Sequence, residues 1–255
     1  MTEETENVQT SGRVSGQMFL YKEPELLMLE THGSMGFTPA ERPFDFVSKE
    51  RVIPLTLTEF GSAQRNYPII FSNLENPLPL AVVGVVDEEN LFVGADGNWD
   101  PMAYVPTYLR CYPFAFAAEA GGKVAVVVDR AAPSITENPS YPFFDGDKIS
   151  EYTESLMRLC ATYDAERRRT LEFGKKLAEL GLLTQLRAAW TPPGETEAEP
   201  LAEYVGIDAE KLQVLDKDIV FELHGTGYLS AIYLQLYSLE NWRHLMARRE
   251  QRENS

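Results

Sequence analysis

No stretch of this sequence approaches the roughly 20 consecutive apolar residues of a membrane-crossing helix, so a transporter built of such helices is excluded. Cysteine is scarce. Cys111 and Cys160 are the only two, too few for a disulfide scaffold and not spaced as a metal pair. Two reduced thiols are expected, with one long-range bridge as the alternative. The three histidines, His32, His224 and His244, stand in no HxH or HExxH pattern, so no metal site is indicated. A GxSxG elbow, a Walker loop and a GxGxxG cradle are all missing, and with them the standard serine hydrolases and nucleotide binders. Positive charge is short too: 23 Lys and Arg stand against 39 Asp and Glu, a formal net charge of −16. Such a surface repels phosphate backbones, and no nucleic-acid partner is expected. The opening MTEETENVQTSGRVSGQ has neither the basic nor the apolar region of a secretory leader, so the expected location is the cytoplasm.

What is there is a chain of 255 residues, 44% hydrophobic, enough to build a core without bridges or metals. Residues 1–17 are polar, acidic and aperiodic and read as a disordered tail. Residues 18–255 read as one domain, strand-rich over 18–146 and helical over 147–255. Met18 to Leu29 reads as extended because Pro24 opposes a helix, and Thr31 to Gly36, with His32, as a loop. RVIPLTLT (51–58) alternates apolar and polar side chains like a half-buried strand, and Pro54 places it at an edge or a strand start. Thr58 is suited to cap a short helix through Arg65, ahead of a strand at Tyr67 to Phe71. The runs LPLAVVGVV (78–86) and KVAVVVD (123–129) suit buried strands, the second entered by a turn at Gly121-Gly122. Past a connector at 131–146, apolar residues recur at helical spacing from Ile149 to about Ala189, one or two helices with the second ending near Gly181. After a polar linker at 191–200 come a strand at Glu203 to Ile207, helices capped by Asp208 and Asp218, and one long helix from Tyr228 to about Arg249. The expected fold class is α+β (mixed α/β), a sheet over the N-terminal half with the C-terminal helices packed on it.

The stretch from Pro79 to Phe116 gathers aromatics and prolines around one arginine. Arg110, with Trp99, Tyr104, Tyr108 and Tyr112, is the candidate ligand-binding cluster, although aromatics at this density more often belong to a core. An arginine in such company either pairs structurally or receives an anionic ligand, and the structural role ranks first. His32 joins the candidates as the histidine best placed for chemistry. Asp96, Asn98 and Asp100 sit at calcium-loop spacing, but Pro101 and Thr107 occupy the positions that need Gly and Glu, so a turn is the better account. Asp129, Asp145 and Asp147 suit turns and caps ahead of acid–base work. No cofactor is indicated. Tyr233, Tyr237 and Trp242 on the last helix suggest a homo-oligomer contact.

Taken in order, the pieces RVIPLTLTEF, AQRNYPIIF, PLAVVGVVDEENLFV, DGNW, YVPTYLRCYPFAFA, FFDGD, LAELGLL, IDAEKLQVLDKD and LHGTGYLSAIYLQLYSLENWRHLMARR resemble the SapC family of bacterial proteins, from about Tyr21 to Arg249. The most specific part is Asn90-Leu91-Phe92-Val93, Trp99, Tyr104-Val105-Pro106, Leu109-Arg110 and Tyr112-Pro113-Phe114. The resemblance implies a soluble accessory protein with no agreed catalytic residues, and the family's name implies a surface-layer role. Three functions are therefore carried forward. The first is a cytoplasmic protein that binds a small molecule or a protein partner. The second is an enzyme that holds an anion on Arg110 and uses His32 or Asp145 as acid–base. The third is a surface-layer-associated component.

Overall fold

Pro54 has no N–H to give a neighbouring strand, and its strand, Val52–Pro54, lies at the edge of a five-stranded antiparallel sheet. The computed structural model describes residues 18–85, 88–118, 124–191, 194 and 196–254. The expected tail over 1–17, the Gly121-Gly122 turn and part of the 191–200 linker lie outside them. Contacts divide the chain into two interleaved units: one comprises Met1–Ala40 and Cys111–Cys160, the other Glu41–Arg110 and Ala161–Ser255. The fold class is α+β, with strands concentrated toward the N-terminus and helices toward the C-terminus.

The second unit holds the five-stranded sheet, in the order Leu183–Trp190, Glu199–Ile207, Ile69–Phe71, Pro79–Val82, Val52–Pro54. Leu183–Trp190, which carries on the helical spacing past the helix end expected near Gly181, is a strand. Gly181, at φ +64°, adopts the left-handed conformation that ends a helix, and the eight residues beyond it pair along Glu199–Ile207. A long partner strand supplies hydrogen bonds that local periodicity does not reveal. The helix that Gly181 ends is a single one, Glu151–Glu179, and the Leu182 N–H closes on the Leu177 carbonyl at 3.0 Å. Near its C-terminal end Gly174 lies against Pro77, where a Cβ would stand 2.3 Å from the Pro77 carbonyl oxygen. Phe173 beside it is fully buried, packed on Phe60, Phe71 and Tyr228 with centroids 5.1–6.4 Å apart.

Caps explain the shorter helices. A 3-10 turn, Leu57–Glu59, leads into Phe60–Ala63, and it begins at Thr56 rather than Thr58. The Thr56 N–H and hydroxyl both donate to Glu59 Oε2 at 2.8 Å, a reciprocal cap in which the third residue reaches back. Asp208 caps Ala209–Gln213 as expected, accepting the Glu210 and Lys211 N–H groups at 3.1 Å. The next cap is Asp216 instead of Asp218, ahead of Lys217–Gly225. The expected long final helix is two, Tyr228–Ser238 and Asn241–Glu253. The break falls where side chains turn to the backbone of residues 64–69. Ser238 Oγ accepts the Ile69 N–H at 2.9 Å, Gln235 Nε2 donates to the Ile69 carbonyl at 2.9 Å, and Asn241 Nδ2 donates to the Gln64 carbonyl at 2.7 Å.

The first unit holds a three-stranded antiparallel sheet in the order Pro24–Leu26, Val124–Asp129, Phe114–Ala118, and a second made of Ile135–Thr136, Gly36–Phe37 and Tyr141–Pro142. Phe114 and Phe143 meet edge to face at 5.4 Å inside it. Asp129 is buried and saturated by the Glu23 N–H at 2.8 Å, the Lys22 N–H at 3.2 Å and the Tyr112 hydroxyl at 2.9 Å. Leu29–His32 forms one helical turn, where extended chain up to Leu29 and a loop from Thr31 were expected. Cys111 and Cys160 are buried thiols of this unit and form no disulfide.

Candidate functional site

The structure distributes the six sequence-predicted residues over both units. Trp99, Tyr104, Tyr108 and Arg110 belong to the second, His32 and Tyr112 to the first. Trp99 is a core residue: its ring stacks on Phe92 at 5.9 Å and tilts against Phe44 at 5.5 Å. Tyr104 is half-buried, and its hydroxyl donates to Glu59 Oε1 at 2.9 Å, the oxygen that also accepts the Thr107 N–H at 2.6 Å. Burial, above all, raises the Tyr104 phenol. The Tyr108 ring lies 5.7 Å from that of Tyr163. Arg110, in the last turn of Thr107–Cys111, is exposed, and no ion pair of its guanidinium occurs among the described residues. Dense aromatic flanks therefore do not bury its charge.

In the first unit, Tyr112 packs edge-on to Tyr21 at 5.4 Å, and burial first, then its bond to Asp129, pushes its phenol up. His32 is 1% exposed. Its Nδ1 lies 2.7 Å from the Thr31 hydroxyl, and its Nε2 stands 3.4 Å from Glu25 Oε2 without hydrogen-bond geometry. Burial lowers the imidazole's pKa, against the raising effects of the Met28 backbone and Glu25. Asp145 is exposed, on a two-residue strand paired with Lys148–Ile149. Among the described residues, no group of three or more His, Cys, Asp and Glu is placed to hold a metal. The Asp96 loop is a turn, with Asp96 accepting the Asn98 N–H at 3.0 Å and its side-chain amide at 2.9 Å.

Sequence reading missed a cavity of about 330 Å³ in the second unit. Asn241–Glu253 forms one wall, with Asn241, His244 and Arg248 facing in, and Arg65, Asn66 and Phe92 form the other. Residues 241, 244 and 248 fall three and four apart, which puts them on one side of a helix. Two arginines of that helix hold the 89–100 segment. Arg248 lies over the Phe92 ring at 4.4 Å and pairs with Asp100 at 2.5 Å. Arg252 pairs with Glu89 at 2.6 Å and donates to the carbonyls of Asn90, at 3.0 Å, and Val93. Burial alone would raise the Asp100 carboxyl, but the Met102 N–H and the Arg248 guanidinium outweigh it and hold it below the usual range. The legible signal was the polar stripe on a helix otherwise read for its apolar side.

Compared with known proteins, the chain matches the family model described as SapC over residues 27–245. No curated protein and no solved structure gives a significant match. The family match ends inside the last helix, so Arg248 lies beyond it.

Proposed function

The chain belongs to the SapC family, and on that premise we propose that it is a cytoplasmic accessory protein that acts by binding a ligand. Among the described residues, no helix is long and apolar enough to cross a membrane. The observation that carries the reading is the 330 Å³ cavity, a volume at the small end of the range for small-molecule sites, about 300–1,000 Å³. Its walls hold hydrogen-bonding side chains with capacity to spare. Among the described residues, Asn66 engages its Oδ1, accepting the Tyr104 N–H at 3.0 Å, and Asn241 its Nδ2.

A thermal-shift screen of the full chain against metals, nucleotides, amino acids, sugars and organic acids tests this. A ligand of the cavity raises the midpoint of the wild type and leaves Ala247→Trp, which fills the space, unmoved. If instead Arg110→Ala abolishes the shift with the fold intact, the site is the exposed Arg110 cluster and the cavity reading falls. The exposure of Arg110 is also what supports the second reading, an enzyme holding an anion there. Turnover of any screened ligand, lost in Arg110→Ala, would favour it. The surface-layer reading rests on the family's name, and cell fractionation tests it: recovery in the cytosolic fraction alone counts against it. For a homo-oligomer contact, Tyr233 and Tyr237 are at the surface, 44% and 65% exposed and stacked at 6.3 Å. Trp242 is not available to such a contact, since it is buried against Tyr204 at 5.4 Å.

A further inference from the structure

The geometry points to an oxyanion, a phosphate or carboxylate group on a small molecule, as the ligand of the cavity beside Asn241–Glu253; the inference rests on the cavity reading above. Acidic residues outnumber basic ones 39 to 23 in this chain, yet none of the side chains lining the cavity carries a carboxylate. Two arginines and a histidine do line it. Arg65 is exposed, and no ion pair of its side chain occurs among the described residues. His244 on the opposite wall likewise makes no described hydrogen bond or ion pair. Arg248 is the one lining cation already engaged. Asp100 takes one of its nitrogens at 2.5 Å, and the Phe92 ring fixes its plane at 4.4 Å. A guanidinium carries five N–H donors, so the pair with Asp100 orients Arg248 without exhausting it.

The amides sharpen the choice. With Asn66 Oδ1 occupied by the Tyr104 N–H, what Asn66 has left is its NH2, a donor. Donors from Arg65, Asn66 and Arg248 thus converge on one space. A ligand rich in acceptors and carrying negative charge satisfies them, and forked guanidinium donors match planar carboxylate and tetrahedral phosphate oxygens. A cation would meet the positive charges of Arg65 and Arg248 in a lining without a single carboxylate. The volume admits a small metabolite and is too small for a dinucleotide or a folded peptide.

Isothermal titration calorimetry of the full chain, with inorganic phosphate and citrate in separate runs, tests the assignment. Saturable binding is expected for at least one of them, weakened about tenfold in Arg65→Ala and further in the double variant with His244→Ala. Both side chains are exposed and make no described ion pair, so the variants should keep the wild-type thermal midpoint. Arg243→Ala, on the same helix but outside the cavity, is the control. Binding of phosphate alone assigns a phosphorylated ligand, and binding of citrate alone a polycarboxylate. Failure of both anions to bind at about 10 mM, a very weak affinity, overturns the oxyanion assignment. Equal losses in Arg65→Ala and Arg243→Ala also overturn it, since they would mean general charge attraction. The cavity itself is judged separately. If neither anion binds but another ligand's shift is lost in Ala247→Trp, only the oxyanion falls; anion binding untouched by Ala247→Trp removes the cavity as its site.

Discussion

Glu59 is buried, and its carboxylate gathers the Thr56 N–H and hydroxyl, the Tyr104 hydroxyl and the Thr107 N–H. Replacing one acceptor oxygen by an amide leaves donors facing donors. Glu59→Gln is therefore expected to cost about 1–3 kcal/mol in urea unfolding, and a loss near zero would show that the carboxylate does not hold this corner. His32 makes a prediction about pH. Its ordinary value is 6.5, and burial lowers it in the folded protein, with Glu25 opposing the shift and Arg130 adding to it. The unfolded chain then binds the proton more readily than the folded one, so stability rises with pH. The contribution is complete above about pH 6.5 and is lost as pH falls below that value. Unfolding at pH 7.5 and 5.5 should show the drop, and His32→Asn should flatten it. At this scale the sequence was half legible. It marked Tyr104, Trp99 and Arg110 as unusual, because composition is visible in a string. It could not tell that Arg110 faces solvent, because burial depends on residues far along the chain.

Helices and strands were legible where local chemistry decides them and obscure where a distant partner does. Pro54 announced an edge strand, Asp208 a cap and Gly181 a helix end, each from one residue's own stereochemistry. Leu183–Trp190 looked helical because only its pairing with Glu199–Ile207 makes it a strand. The final helix looked continuous because Ser238 and Asn241 interrupt it by bonding to residues some 170 positions earlier. The cavity was hidden for the same reason, its walls coming from residues 65–66, 92 and 241–251. Two substitutions test the packing of elements. Gly174→Ala should gain about 1 kcal/mol by helix propensity alone, yet its Cβ would stand 2.3 Å from the Pro77 carbonyl. A net loss of stability in chemical denaturation is expected, and a gain would mean the helix does not lie so close. Gln235→Leu strands the Ile69 carbonyl, which Gln235 satisfies at 2.9 Å. It should lower stability by about 1–3 kcal/mol and raise hydrogen exchange along Ile69–Phe71.

At the level of the whole molecule, the sequence shows a strand-rich half and a helical half, and the fold class follows from that count. The contacts follow a different partition, because periodicity reports local structure and says nothing of which segments meet. Residues 18–146 contain parts of both units, and so do residues 147–255. Separate expression of these two pieces is therefore expected to yield neither a cooperative thermal transition nor dispersed amide resonances, since each lacks segments its units need. A cooperative transition in either piece would show that half of the sequence holds a complete core. The interleaving also bears on inheritance. The chain passes from one unit to the other at 40/41, 110/111 and 160/161, so a single recombination event between two relatives cannot exchange one unit intact. All three junctions would have to break together, and a hybrid gene with one crossover mixes both units at once.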